Sequence, residues 1–346
     1  MSNSSIKITP LMDTLRLQKI SDEEYFSEKY SNYISNSRLG LINPEQGGSP
    51  EKFFAGFKPI YSAAFDLGTG VHCKVLQNDL FTICEEVDKP TAKMGALADR
   101  LYMIHKGEIP SKESICEQAR IIDYYKGNLS ESQIDNVISK CTDYWQSRAS
   151  FEASYSGDKE VLYFDPKSRE TVQKCVLALN NNRNVQKLLH PSGLTENPIS
   201  ECEQAILLDV LVETDNNQKF TLRLKSKLDN YTIDKESSII TVNDVKTIGK
   251  IVSEMPNNIA KFHYNREIAM YSWLLSLCAK KFYGMKNPTV KGNYLVVSTI
   301  PDHYTKVLPM TKKMFKEGWN EFVYLLKLVA RYVATEHREF GIFYNT

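Results

Sequence analysis

The chain has 346 residues, a net charge of +1, 25% charged and 42% hydrophobic residues. That balance suits a soluble globular chain with a substantial core, in one large domain or two, and excludes a uniformly basic nucleic-acid coat. No apolar run approaches the ~20 residues of a membrane span, and Met1-Ser2-Asn3-Ser4-Ser5 lacks the basic and apolar regions of a secretory signal. The seven cysteines are scattered, with no Cys-x-x-Cys pair. They predict reduced thiols in a cytosol, without a zinc or iron–sulfur site.

Residues 1 to about 30 read as polar, mostly helical or loose. Ser35 or Asn36 then offers an N-cap for a helix through Arg38 and Leu39. Gly47-Gly48-Ser49-Pro50 breaks the chain before a short helix, Glu51 to Phe57. In the stretch from Ala63 to Leu76, Leu67, Val71, Val75 and Leu76 recur at helical spacing, with His72 among them. From about 85 to 150 the pattern is helical and amphipathic, broken at Pro90, Gly107 to Pro110 and Gly127-Asn128. A helix from Arg169 to Leu179 and a short one through Leu188-Leu189 follow. Three strand candidates come next: Gln204 to Glu213, Phe220 to Asp229 and Ser238 to Lys246, rich in Ile, Leu, Val and Thr and bounded by polar turns. A long helix is expected from about Asn257 to Phe282, a strand from Tyr294 to Ile300, and a last amphipathic helix from Met314 to Phe340. Helix, three strands, helix and strand together predict an α/β core around a mixed sheet.

Chemistry concentrates between Glu203 and Lys246. Residues i and i+2 of a strand share a face, so Asp244 and Lys246 project side by side. Asp229 closes the preceding strand candidate, and a polar turn around Thr232 to Ser237 returns the chain, so a hairpin brings Asp229 next to Asp244. Two carboxylates and an ammonium on adjacent strands suit a divalent cation and phosphodiester cleavage. Arg223, Lys225 and Lys227 run straight into Asp229 and are the basic cluster best placed to meet phosphate; Lys280, Lys281, Lys286 and Lys291, and later Lys306, Lys312, Lys313 and Lys316, read first as solvated surface. A lone histidine such as His72 is more often core or surface than ligand.

The order of these pieces resembles the PD-(D/E)xK nuclease superfamily, and in detail its exonuclease VIII or RecE-type phage branch. Ser35-Asn36-Ser37-Arg38-Leu39 with Ser49-Pro50 is similar to that branch's N-terminal motif, and Gly68-Thr69-Gly70-Val71-His72 to its Gly-Thr-x-x-His helix. Glu203-Gln204-Ala205-Ile206, Lys225-Ser226-Lys227-Leu228-Asp229 and Asp244-Val245-Lys246-Thr247 resemble its three acid-bearing segments. Tyr264-Asn265-Arg266-Glu267-Ile268-Ala269-Met270-Tyr271 resembles its Tyr-x-x-Gln-x-Ala-x-Tyr helix, with Glu267 in place of the glutamine and Lys227 in place of an arginine.

The resemblance implies a restriction-endonuclease-like α/β fold, a central mixed sheet flanked by helices with a helical insertion. Its divisions would be an N-terminal extension (1–32), the first part of the nuclease domain (33–84), a helical insertion (85–168) and the nuclease core with its C-terminal helix (169–346). It implies Mg2+, with Mn2+ able to substitute, held by Asp229, Asp244, the Val245 carbonyl, Glu203 and His72. Glu203 is preferred over Glu201. Lys246 would orient and help deprotonate the attacking water, and Glu267 would support Lys246 or that water. The implied activity is a metal-dependent exonuclease on ends of linear double-stranded DNA, working 5′ to 3′ and leaving 3′ tails for a single-strand annealing protein. A ring-shaped homo-oligomer in the cytoplasm of a bacterial or phage-infected cell, with no membrane role, completes the expectation. A RecB-like nuclease acting with a helicase or other partner, and a catalytically impaired DNA-binding or phage protein on the same fold, remain as alternatives.

Overall fold

The computed structural model describes residues 6–56, 61–191 and 198–344. The chain opens with β1 (Lys7–Pro10), β2 (Arg16–Lys19), α1 (Asp22–Phe26), β3 (Tyr33–Ile34), α2 (Asn36–Gly40), α3 (Pro50–Ala55) and α4 (Ala63–Leu76). Then come β4 (Phe81–Asp88), α5 (Ala92–His105), α6 (Lys112–Ile121), α7 (Glu131–Ser154), β5 (Glu160–Phe164), α8 (Pro166–Asn181) and α9 (Arg183–Leu189). The last part holds β6 (Ile199–Glu213), β7 (Lys219–Asp234), β8 (Ile239–Ile248), α10 (Met255–Phe262), α11 (Tyr264–Tyr283), β9 (Thr289–Ser298), β10 (Thr305–Pro309), α12 (Lys312–Thr335) and β11 (Ile342–Phe343). No helix among the described residues is long and apolar enough to cross a membrane.

The central sheet has nine strands, with β1-β6-β7-β8-β9-β10 as its backbone and β2, β3 and β11 joined at the side. It is mixed: β8 and β9 run parallel, as do β3 and β7, and the other pairs are antiparallel. The parallel crossover from β8 to β9 runs through α10 and α11, as parallel neighbours require a long connection. Residues of α11 and α12 cover one side, where Leu274, Leu275, Leu325 and Val329 meet Leu222, Val242 and Val296. Helices α4, α8 and α9 cover the other, where Val71, Val172 and Leu189 meet Val245, Leu295 and Val297. Each fully buried Leu, Ile or Val here contributes about 1.5–3 kcal/mol.

Two close approaches need glycine. A Cβ at Gly70 would sit 2.6 Å from Phe164 and 3.1 Å from Val172, so α4 can lie this near β5 and α8 only without a side chain there. At Gly318 a Cβ would meet the Asn265 carbonyl oxygen at 2.3 Å, which sets the crossing of α12 over α11.

Helices α5, α6 and α7 form a lobe between β4 and β5 with a core of its own, including Leu97, Leu101, Ile115, Val137 and Trp145. The stretch from 85 is not wholly helical, because its first residues belong to β4, which pairs with β5 in a separate two-stranded sheet.

Several expectations need correcting. Residues 7–10 and 16–19 are not helical or loose: as β1 and β2 they pair with β6 along the sheet edge. These strands are too short for a period-2 pattern to show. Asp229 does not end its strand; β7 continues to Asp234, and the turn lies at 235–238. The single helix expected from Asn257 is two helices, because His263 adopts a left-handed backbone (φ +55) between α10 and α11. The strand expected at Tyr294 begins earlier, at Thr289, and the last helix stops at Thr335. Phe57, the expected end of α3, lies outside the described residues.

Candidate active site

The β7–β8 ladder runs from Asp234↔Ile239 to Asn230↔Asn243 and stops. Beyond that rung β8 stays with β9 as far as Ile248↔Ser298, while the same edge of β7 is met by β3 at Arg223 and Leu224. The two strands therefore part at Asp229 and Asp244. The candidate site occupies the fork.

Local backbone irregularity aims the acids. On β7, Leu222, Leu224 and Leu228 enter the main core, whereas beyond Asp229 the core residues are Tyr231 and Ile233. On β6, Cys202 pairs with Asn230 and Gln204 with Leu228, leaving Glu203 opposite Asp229 outside the ladder. Glu203 sits at φ +56, a left-handed conformation costly for a residue with a side chain. Both strands thus shift their alternation at the same level, and both carboxylates turn toward the fork.

One ligand-bearing atom each from His72, Glu203 and Asp229 lie within 4.8 Å of one another. Helix α4 brings His72 in: its Nε2 lies 2.7 Å from the Val245 carbonyl oxygen and its Nδ1 3.6 Å from Asp229 Oδ2. A carbonyl only accepts, so Nε2 carries the proton and the Nδ1 lone pair faces the carboxylates. Burial lowers the His72 pKa, the nearby Lys246 adds to this, and the neutral ring is favoured. Asp229 Oδ2 also accepts from the Val245 backbone N–H at 2.7 Å. Val245 thus receives one bond and gives one, which ties β8 to both α4 and β7.

Lys246 and Asp244 share a face of β8. Lys246 Nζ lies 2.9 Å from Asp244 Oδ1, 2.8 Å from Oδ2 and 3.3 Å from Glu267 Oε2 on α11. Glu267 is steadied by the Tyr271 hydroxyl at 3.1 Å, and the Tyr264 ring lies 4.8 Å from Nζ. Burial alone would lower the Lys246 pKa, but Asp244, Glu267 and Asp229 hold it well above the ordinary value. Asp244 and Asp229 are pushed up, chiefly by burial, against the opposing pull of Lys246.

Glu203 contacts Lys227 at 2.9 Å, and Lys227 also pairs with Asp22 of α1. Lys225 donates to the Tyr25 carbonyl at 2.7 Å and lies 4.4 Å from the Tyr25 ring centre. The basic run on β7 is therefore not a solvent-facing phosphate strip: Lys225 and Lys227 are spent inside the fold. Asp22 and the cover that α1 provides were invisible in sequence, since nothing local connects residue 22 to residue 227. The N-terminal motif docks beside the site, where buried Arg266 donates from Nε to Asn36 Oδ1 (2.8 Å) and pairs with Glu321. Glu201 is exposed and does not join the cluster.

The donor set fits a hard divalent cation. It is oxygen-rich with one imidazole, a set able to hold a divalent metal ion, and it holds more carboxylates than cations. The buried Tyr294 hydroxyl, on the strand beside Asp244, has no hydrogen-bond partner among the described residues. Buried polar atoms left so are rare and expensive.

Comparison with known proteins adds no family. No family description matches the chain and no curated protein matches it. A crystal structure of a "Putative exonuclease" from Eubacterium rectale is similar at 10% identity, covering 90% of this chain and 86% of that one, with a TM-score of 0.44. A likeness that distant has no weight for the chemistry, which rests on the fork itself.

Proposed function

We propose that the protein is a metal-dependent deoxyribonuclease of the PD-(D/E)xK type, acting as an exonuclease on linear double-stranded DNA. The observation that carries this reading is the convergence of His72, Glu203 and Asp229 within 4.8 Å, beside the Asp244–Lys246 pair. In this reading Asp229, Asp244, Glu203 and His72 hold Mg2+, with Mn2+ as a substitute, and the Val245 carbonyl offers its second lone pair. A bound divalent cation supplies charge that polarises the scissile phosphate and acidifies a water.

The chain's own groups do the rest. Lys246, kept charged by Asp244 and Glu267, places an ammonium where phosphate charge develops and orients the attacking water. The Val245 N–H fixes the angle of Asp229, and His72 anchors the Val245 carbonyl. Lys227 holds Glu203 in its strained conformation. By the same reading the substrate is a duplex end, digestion runs 5′ to 3′, and the 3′ tail passes to a single-strand annealing protein. A homo-oligomeric ring in the cytoplasm would enclose the duplex.

Incubation with end-labelled linear DNA and closed circular DNA, with and without Mg2+, tests the proposal. Mg2+-dependent loss of linear DNA alone is the expected result. Cutting of the circle would make the protein an endonuclease, and binding without digestion would make it a DNA-binding module.

A further inference from the structure

Across the sheet at the level of the fork runs a chain of buried amides. Asn293 Nδ2 on β9 donates to Asn243 Oδ1 on β8 at 2.9 Å, and Asn243 Nδ2 donates to Asn230 Oδ1 on β7 at 2.8 Å. Asn230 Nδ2 in turn lies 3.2 Å from Ser200 Oγ and 3.3 Å from the Glu201 carbonyl oxygen on β6. Asn243 Nδ2 also reaches the Leu188 carbonyl of α9 at 3.2 Å. Those backbone oxygens can only accept, so they fix the orientation of the Asn230 and Asn243 amides and the chain points one way. Asn230 and Asn243 are 0% exposed and Asn293 is 8% exposed.

Its placement is what matters. Asn230↔Asn243 is the last rung before β7 and β8 part, and Asn243↔Asn293 is the matching rung of β8–β9. Asp229 and Asp244 are the next residues beyond that rung, and Glu201 stands two residues before Glu203. Neighbouring residues of a regular strand face opposite sides, so Asn243 sits behind Asp244, and Asn230, bonded to it, lies on the same side, where α9 packs. Apolar side chains would fill that space without the desolvation cost of buried amides. A fully bonded polar chain instead allows one spacing and one register.

We propose that Asn230, Asn243 and Asn293 are positioning residues that lock the apex of the fork, so that Asp229 and Glu203 stand at the spacing a divalent cation needs and Asp244 is held beside them. The inference rests on the cation-site reading above. Removing the central amide loosens the acids, although no amide touches the cation.

The test is Mn2+ affinity, read from the loss of the free-ion electron paramagnetic resonance signal, alongside Tm, with Asp244→Asn as the reference for a lost ligand. Asn243→Val strands the Asn230 and Asn293 groups and should lower both Tm and affinity, the latter by about ten-fold or more, as for other groups that support metal ligands. The triple variant Asn230→Val, Asn243→Val, Asn293→Val removes every stranded partner and should regain much of the lost Tm without regaining affinity. Asn293→Ser, a milder cut at the end of the chain, should weaken Mn2+ several-fold at nearly unchanged Tm, and it decides the matter if the triple variant does not fold. Affinity that stays within about two-fold of the natural chain in a folded variant, or that returns together with Tm in the triple variant, overturns the inference. A natural chain that binds no Mn2+ overturns the cation site itself, a separate result.

Discussion

The fork and the helical lobe both gather charged side chains, and they handle them in opposite ways. In the lobe, Arg148 lies 4.1 Å from the Tyr102 ring and 4.5 Å from the Tyr163 ring, and pairs with Asp99 and Glu152. Asp99 also accepts from Lys89 and the Tyr144 hydroxyl, and Glu152 from the Tyr102 and Tyr163 hydroxyls. Burial would raise the Glu152 pKa, yet Arg148 and Tyr102 bring it below the ordinary value. At the fork, Glu203, Asp229, Asp244 and Glu267 face only Lys227 and Lys246, and the Asp229 and Asp244 carboxyls are pushed up instead. Matched charge holds a structure together, whereas an excess of one sign in a cleft marks a place where a ligand completes the balance.

The comparison breaks most sharply at Asp244 and Lys246. Asp244→Asn or Lys246→Ala should lower single-turnover digestion of end-labelled linear DNA by about 10²–10³-fold, while the Asp244→Asn protein keeps or gains Tm because an under-compensated buried charge is gone. In the lobe the pattern reverses. Arg148→Ala removes the guanidinium from Glu152 and from its packing on Tyr102 and Tyr163, while Lys89 still pairs with Asp99, and should cost about 1 kcal/mol in denaturant unfolding, with the rate of the folded fraction unchanged.

Cation addition sharpens the contrast without a substitution. Mn2+ or Mg2+ at about 100 times its Kd should stabilise the natural chain by about 2.7 kcal/mol, seen as a rise in Tm that EDTA reverses. Asp229→Asn should abolish that rise, and Arg148→Ala should retain it. The smallest effect is expected at Glu267→Gln. The amide still accepts from Tyr271, and Asp244 still holds Lys246, so digestion should slow by less than about ten-fold, on the order of 1 kcal/mol. A larger loss would give the Glu267 charge a role of its own.

Much of the site's raw material is legible in the chain. Period-2 alternation with β-branched residues identifies β6, β7 and β8, and i, i+2 spacing alone puts Asp244 and Lys246 together. Helical spacing marks α4 and hence the element that carries His72. The lobe's helices follow from their breaks at proline and glycine. These features are local, and a short window of sequence contains everything that determines them.

Only the tertiary structure decided the rest. A left-handed Glu203 has no sequence signature, and without it strict alternation would aim Glu203 and Asp229 elsewhere. The meeting of His72 with Val245, of Asp22 with Lys227, and of Asn293 with Asn243 joins residues 173, 205 and 50 positions apart. Lys225 and Lys227 look like a phosphate track on the strand and become internal anchors once α1 folds over them. The sequence by itself determined which strands carry acids and in what order; the long-range packing of α1, α4 and β9 against those strands determined where the acids point, because side-chain direction at a strand irregularity depends on partners that no local pattern records.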